Sequence, residues 1–458
     1  MAVSRKGQID MTTGHIMKNI ILFAIPIIIG NVLQQLYTTV DALVIGQYCG
    51  DTSLAAVGTS SQPVEVLLCV FLGIGTGVSI LISQYAGAKE SDKVVSICGT
   101  SITFIYIIGI PVGILGWFAA PYILEFMKVP QDVWDAALIY TRLVFLGTLG
   151  NLGYNMNAGI LRGLGDSKAS LWFLVVSCIS NIVFDLVFVA GFGMDVAGAA
   201  LATSIAMFIS WLVSIVYIKK MFPEIQFTFL PRRFSGKMMK DILAIGLPVG
   251  LNNSLYSLGH VALQTFNNSQ GAVFMAGGAV AGRITGCSNI AITGLSSAAT
   301  TFSGQNYGAK KYDRIKEGHW KIPICSGLIT LGCGLFFIMI HKSLIRFFSS
   351  DEMVLMYASR HVVVMLLSQW FYAIFNCIIS IVNGTGRVRY TTIVNILMLW
   401  AVRIPSAYII NRYFDGTWVM LCFPISFSFG MFAMIGYYLF SPAWKEVMRL
   451  AENKPQDY

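Results

Sequence analysis

Long apolar runs separated by short polar loops occupy almost the whole chain. Twelve runs can be drawn, and each has at least the roughly 20 residues that a helix needs to cross a hydrocarbon core of about 30 Å. The pattern therefore predicts an all-α polytopic membrane protein with twelve transmembrane helices. The predicted spans are residues 16–46, 53–84, 94–118, 133–158, 169–190, 196–218, 240–266, 273–304, 318–340, 353–381, 391–410 and 416–440.

The chain repeats itself at an offset of 221 residues. Residues 84–94 read QYAGAKESDKV, and residues 305–315 read QNYGAKKYDRI. Many secondary transporters are built from two such hydrophobic halves. Six spans per half leave both halves in the same orientation, so we expect parallel repeats. The predicted domains are an N-lobe at residues 1–218, a cytoplasmic linker at 219–240 and a C-lobe at 241–458.

Composition and charge agree with a membrane protein. Apolar residues make up 56% of the chain and charged residues only 12%, whereas soluble domains carry about a quarter charged residues. Of the 31 basic residues, 23 fall in alternate loops beginning with the N-terminus and 4 in the opposite loops. This bias predicts that both termini and the linker are cytoplasmic. It also accounts for the net charge of +9, so we expect no nucleic-acid partner.

The sequence carries none of the common enzyme or metal motifs. It has no GxxxxGK[ST] loop, no HExxH and no CxxC, and its nine cysteines show no paired spacing. Gly73, Gly75 and Gly77 spell GxGxG inside an apolar run without a preceding strand, which favours close helix packing over a nucleotide loop. We therefore expect a protein that is not an enzyme and that needs neither a cofactor nor a structural metal.

Two aspartates within the first-half spans are the strongest functional signal. A carboxylate in lipid costs several kcal/mol, so one that lies in a span usually faces a cavity or a partner. Helical spacing puts Asp41 on one face with Gln34 and Tyr37, and Asp185 follows Asn181 by four residues. The alternative is that both aspartates are merely interfacial. Further polar or soft first-half candidates are Asn155, Asn157, Ser177, Thr203, Met207 and Ser210.

The repeat indicates where the chemistry lies. At the register of Asp41 the second half has Ala262 or Leu263, and at that of Asp185 it has Ser406. The scaffold is thus duplicated and the acidic charge is not. In the second half, Tyr256 and His260 begin a polar helix face that could line a cavity, although a lone histidine is more often only a hydrogen-bonded helix residue.

In sum, the residues resemble the multidrug and toxic compound extrusion (MATE) family, in the branch typified by DNA-damage-inducible-F proteins. Five elements in order carry this resemblance. They are Pro26 followed by Asp41, the GAK loop after the second span, the LRGLGD segment Leu161–Asp166, the pair Asn181/Asp185, and the AGAALAT run Ala197–Thr203.

The resemblance implies a V-shaped pair of six-helix lobes that opens alternately to the two sides of a prokaryotic plasma membrane. It implies export of diverse, often cationic or amphipathic, xenobiotics in exchange for a proton, or for sodium held by the same oxygen atoms. We expect a monomer whose other partner is membrane lipid. Implied cation-coupling residues are Asp41, Asn181, Asp185, Thr203 and Asn157, with Asn155 as the rival of Asn157 and Pro26 as a hinge.

Two other classes compete with this interpretation. A lipid or lipid-linked oligosaccharide flippase of the same superfamily would need a basic cavity, for which only Arg283 and Arg403 are available. A channel or receptor without coupling would not need paired aspartates beside a hinge proline.

If the chain is an exporter, the residues expected to contact substrate are Gln34, Tyr37, Asn155, Ser177, Met207, Ser210, Tyr256 and His260.

Overall fold

The computed structural model describes residues 8–231 and 233–452, and this part of the chain is helical with no β-strand. Fifteen α-helices follow one another with short connections. The first seven are α1 (Ile16–Tyr48), α2 (Gly50–Gly87), α3 (Ser91–Phe126), α4 (Trp134–Leu146), α5 (Thr148–Gly163), α6 (Ser167–Asp185) and α7 (Asp195–Met221). The others are α8 (Gly236–Asn268), α9 (Ala272–Gly308), α10 (Tyr312–Phe348), α11 (Glu352–Gly384), α12 (Val388–Ile396), α13 (Ile404–Tyr413), α14 (Cys422–Phe440) and α15 (Pro442–Glu452).

Several helices join into longer membrane spans. The pair α4 and α5, which is bent by 47°, is long and apolar enough to form one broken span. A π-helical turn, Leu186–Gly191, extends α6, and a second one, Leu397–Arg403, joins α12 to α13. Among the described residues, nine spans are long and apolar enough to cross a membrane, and the bent pair makes ten. The helices α8 and α9 coincide with predicted spans seven and eight and are more polar. The predicted all-α polytopic fold is confirmed.

The described chain divides into two compact units. Unit 1 contains Met1–Ile9 and Ile29–Ser254, and unit 2 contains Asp10–Ile28 and Leu255–Tyr458. The long helices α1 and α8 therefore each begin in one unit and end in the other. A 33-residue helix is about 50 Å long, so its two ends can pack in different surroundings. The boundaries predicted from chain order, 218/219 and 240/241, fall instead within the last turn of α7 and the first turns of α8.

Glycines of α2 allow close helix packing in unit 1. A Cβ atom added to Gly77 would lie 2.7 Å from the Cα atom of Gly246 on α8. A Cβ atom added to Gly75 would lie 2.9 Å from the backbone oxygen of Asn155 on α5. Real Cβ atoms do not approach this closely, so only glycine fits. The predicted packing role of the GxGxG sequence is confirmed.

In unit 2, the second copy of the repeated motif fixes the segment before α1. Asn306, Lys311 and Arg314 donate hydrogen bonds of 3.0, 2.7 and 2.9 Å to backbone carbonyls within Met11–Gly14. The first copy has Glu90 at the position of Lys311, and a carboxylate cannot donate such a bond. The two copies of the motif therefore differ in the hydrogen bonds that their side chains can donate.

We expect Gly75→Ala to destabilise the fold. The added methyl group would push α2 away from Asn155, and overpacking of this kind typically costs about 1–3 kcal/mol. Thermal unfolding of the detergent-solubilised protein should therefore start at a lower temperature. Gly278→Ala is the matched control, because nothing lies within 4 Å of its added Cβ atom. Equal melting temperatures for the two variants would contradict the packing role of Gly75.

Candidate functional site

Asp41 and Asp185 lie next to each other in unit 1. Asp41 projects from the unit-1 part of α1, and Asp185 ends α6 directly before its π-helical turn. Turns of this type are rare and frequently mark functional sites. Asp185 is fully buried and Asp41 partly buried, and the two carboxyl groups interact electrostatically. The structure thus brings the two predicted carboxylates together.

Among the described residues, few hydrogen bonds and no ion pairs stabilise the carboxylate pair. Both carboxylate oxygens of Asp185 and Oδ1 of Asp41 are buried without a hydrogen-bond partner among the described residues. The ion pairs within residues 8–231 and 233–452 include neither aspartate. An unpaired buried charge costs several kcal/mol. The pair is therefore expected to take up a proton or a metal cation.

Asn181 and Thr203 complete an oxygen-rich group beside the pair. Nδ2 of Asn181 on α6 donates a 3.2 Å hydrogen bond to Oγ1 of Thr203 on α7. Asn181 lies one helical turn before Asp185, on the same face of α6. Its Oδ1 atom is buried without a hydrogen-bond partner in the described part of the chain. Carboxylate, amide and hydroxyl oxygens are the donors that a proton or a hard cation requires, so these residues fit either ion.

Two tyrosines flank the carboxylates. Tyr37, a predicted site residue, interacts electrostatically with both Asp41 and Asp185. Tyr140 on α4 interacts with the same two aspartates and with Tyr37. Sequence reasoning missed Tyr140, because a single tyrosine in an apolar run carries no spacing signal. Only the packing of α4 against α7 in the fold brings it to the site.

The two candidate asparagines of α5 have other partners. Asn157 is fully buried and donates a 2.7 Å hydrogen bond to Oγ of Ser214. Asn155 donates 2.9 Å hydrogen bonds to the backbone oxygen and Oδ1 of Asn151. These contacts place neither residue on the carboxylate pair. Oδ1 of Asn157 is buried without a partner among the described residues, so its role as a cation ligand stays a prediction.

A cavity of about 270 Å³ adjoins this group in unit 1. Thr203 and Tyr140 line it together with Met207, one of the predicted substrate residues. Glu65 contributes the one acidic side chain among the described lining residues. The cavity is otherwise mainly apolar, which suits a small amphipathic molecule. Its remaining walls are Val64, Leu67, Leu68, Val144, Phe145, Gly147, Thr148, Asn151 and Ser204.

The other first-half substrate candidates lie outside the lining of this cavity. Oγ of Ser177 donates a 3.6 Å hydrogen bond to Sδ of Met207, so Ser177 contacts a residue that lines the cavity. Ser210 donates a 2.7 Å hydrogen bond to the backbone oxygen of Phe173, which commits its hydroxyl group to helix packing. Gln34 is exposed on α1. Direct substrate contact by Ser177, Ser210 and Gln34 stays a prediction.

The matched positions in unit 2 hold no acidic site. Oγ of Ser406, which corresponds to Asp185, donates 2.6 and 3.0 Å hydrogen bonds to the backbone oxygens of Val402 and Arg403. Leu263, one of two matches for Asp41, is buried in an apolar cluster. The predicted unit-2 pair Tyr256 and His260 is in ring contact, with centroids 4.9 Å apart.

Pro26 lies inside the continuous helix α1, two residues before that helix passes from unit 2 to unit 1. A proline inside a helix removes one backbone hydrogen bond and favours a kink. Pro248 lies at the matching place inside α8. The hinge role of Pro26 stays a prediction.

Comparison with known families agrees with this arrangement. The family model MatE matches the chain twice, at residues 26–187 and 248–409. The chain therefore belongs to the MATE family, whose members are membrane transporters and not enzymes. The two matches begin at Pro26 and Pro248 and end two residues after Asp185 and three after Ser406. The internal duplication is confirmed.

Individual relatives cover almost the whole chain. The probable multidrug resistance protein YoeA of Bacillus subtilis is 30% identical over 94% of this chain and 95% of its own. The multidrug export protein MepA of Staphylococcus haemolyticus is 23% identical over 88% of this chain and 89% of its own. A crystal structure of MATE in complex with MaD3S has a TM-score of 0.88 at 23% identity, covering 98% of this chain and 100% of that one. The structural likeness shows the shared fold.

We expect Tyr140→Phe to change the proton dependence of transport. The change removes one hydroxyl group from the surroundings of two carboxylates. Because a hydroxyl dipole there stabilises the charged carboxylates, its loss should strengthen proton binding by about 1 kcal/mol and lower the proton concentration for half-maximal transport roughly fivefold. The measurement is transport by proteoliposomes at a series of imposed cation gradients. Tyr122→Phe serves as control because Tyr122 is 73% exposed on α3. Identical cation dependence of Tyr140→Phe and the wild type would remove Tyr140 from the site.

Proposed function

We propose that this chain exports chemically diverse, amphipathic small molecules across the prokaryotic plasma membrane in exchange for a cation, with the proton as coupling ion. One observation carries the proposal: Asp41 and Asp185 are close together, buried, and without ion-pair partners among the described residues. The cavity beside them supports a small organic substrate. The names of two relatives, a probable multidrug resistance protein and a multidrug export protein, support the substrate class.

The proposed mechanism is alternating access. A proton taken up on the outside neutralises part of the carboxylate pair, and its release to the cytoplasm restores the charge. Each elementary charge that moves inward gains about 2.3 kcal/mol per 100 mV of membrane potential. One or two charges per cycle are then enough for concentrative export. Pro26 would let α1 bend as the charge on Asp41 changes.

Orientation and assembly complete the proposal. The 23-to-4 distribution of basic residues supports cytoplasmic termini. Within one chain, unit 1 supplies both carboxylates, Asn181 and Thr203, so a monomer would have a complete cation site. Bulky apolar side chains are exposed along many helices, for example Phe118 and Val216, which supports lipid as the surrounding partner.

Cysteine labelling tests the orientation. Lys237 is exposed in the first turn of α8, and Lys128 is exposed just after α3. In a background with the exposed Cys287 replaced by serine, Lys128→Cys should react with a membrane-impermeant maleimide on intact cells. Lys237→Cys should react only after the cells are permeabilised. The reverse pattern would place the termini outside.

Neutralising the carboxylates tests the coupling. Asp41→Asn and Asp185→Asn should each abolish gradient-driven export, because an amide neither loads nor releases a proton and is a weaker sodium ligand. The measurement is dye export by proteoliposomes with proton and sodium gradients imposed separately. Ser406→Ala is the control, since its hydroxyl group bonds only to its own helix in the described structure.

The two gradients separate the outcomes. Robust export by Asp41→Asn in a pH gradient would overturn the site assignment. Export by the wild type that follows sodium and ignores pH would keep the site and replace the ion. Loss of export in Ser406→Ala, at normal expression and stability, would show that the two halves contribute equally.

A further inference from the structure

Unit 2 buries a positive charge that the proposed transport cycle does not use. Arg403 ends the π-helical turn between α12 and α13, and it is fully buried. Its Nε atom donates a 2.9 Å hydrogen bond to Oγ of Ser426. Its Nη1 atom donates a 3.1 Å hydrogen bond to the hydroxyl group of Tyr256. Nη2 is buried with no hydrogen-bond partner among the described residues.

Aromatic rings surround this guanidinium group. Its central carbon lies 4.9 Å from the ring centroids of both Phe423 and Phe427 and 5.3 Å from that of Tyr256. Cation–π contacts of this kind stabilise a desolvated cation. Within the described part of the chain, no carboxylate lies within ion-pair distance of Arg403. Its positive charge is therefore held in place and is not neutralised.

The guanidinium group lies directly behind an accessible polar helix face. Tyr256, which accepts its hydrogen bond, is partly exposed, and His260 and Gln264 are exposed one and two turns further along α8. Arg403 also interacts electrostatically with His260. A polar stripe of this kind is costly against lipid, so it is expected to face water or substrate. A molecule bound to this face would interact electrostatically with Arg403 across a single layer of side chains.

We propose that Arg403 is a specificity-determining charge, which favours substrates that carry a carboxylate and disfavours substrates with a second positive charge. The inference rests on the proposed function, because it concerns which molecules the exporter accepts. The accessible side chains of Tyr256 and His260 would contact the molecule, and the fixed charge behind them would select the sign of its polar group. At an effective dielectric constant of about 20, two charges roughly 10 Å apart interact strongly enough for about a tenfold change in affinity.

A matched pair of dyes tests this proposal. A rhodamine with a free carboxylate and its methyl ester share one fluorescent ring system and differ in one negative charge. Fluorescence polarisation with the purified full-length protein gives the Kd of each dye without any gradient. The wild type should bind the free acid more tightly than the ester. Arg403→Gln should weaken binding of the acid about tenfold and leave binding of the ester unchanged or slightly tighter.

Two further variants separate charge from structure. Arg403→Lys keeps the charge and should keep most of the preference for the acid. Arg403→Met has an apolar side chain suited to the aromatic surroundings and should lose the preference even if Arg403→Gln does not fold. Arg283→Gln is the control for net charge, because Arg283 is exposed on α9 and contacts the ring of Phe348 instead.

The outcomes are distinct. Equal affinity of the wild type for both dyes, a parallel loss for both dyes in every folded Arg403 variant, or an Arg403→Lys variant that behaves like Arg403→Met would each overturn the proposal. A wild type that binds both dyes with the expected preference but exports neither in any gradient would contradict the proposed function and leave the role of Arg403 standing.

Discussion

The structure depends on one electrostatic constraint, the burial of two carboxylates with no basic partner among the described residues. In water, Asp41 and Asp185 would each keep a full hydration shell, whereas in unit 1 they face each other and a few neutral polar groups. Such a pair is stable only when something positive joins it. Within the described residues the fold therefore leaves the charge of this pair unbalanced, and in the proposed function a cation from outside balances it. Under that proposal, cation binding and the stability of unit 1 are linked.

The duplicated scaffold makes the placement of charge informative. The helices of the second half follow those of the first, but Ser406 satisfies its hydroxyl group on its own backbone and Leu263 packs into an apolar cluster. Unit 2 holds Arg403 instead, which is fully buried and has no ion-pair partner among the described residues. Each unit thus retains an uncompensated charge, negative in unit 1 and positive in unit 2. Duplication supplies the backbone, and substitution of single residues supplies the chemistry.

Much of the fold could be predicted from the sequence because the patterns that indicate it extend over many residues. Twenty-residue apolar runs and a 221-residue offset survive errors of several residues at any boundary. Asp185 and Asn181 could be paired because both lie on one face of one helix. The place of Tyr140 near the carboxylates and the partner of Asn157, Ser214, could not be predicted, since these contacts come from other helices and depend on how the helices pack. Chain order also could not show that α1 and α8 each divide between two units.

The surroundings of the carboxylates indicate how the site can change its charge without losing its shape. The hydrogen bond from Asn181 to Thr203 joins two neutral groups, so it does not depend on whether the aspartates are charged. It leaves Oδ1 of Asn181 available to a cation. In the proposed cycle, the amide and hydroxyl groups would hold α6 against α7 in both charge states, and the aspartates alone would change their interactions. Loading and release of the cation would then require electrostatic work and no rearrangement of a polar network.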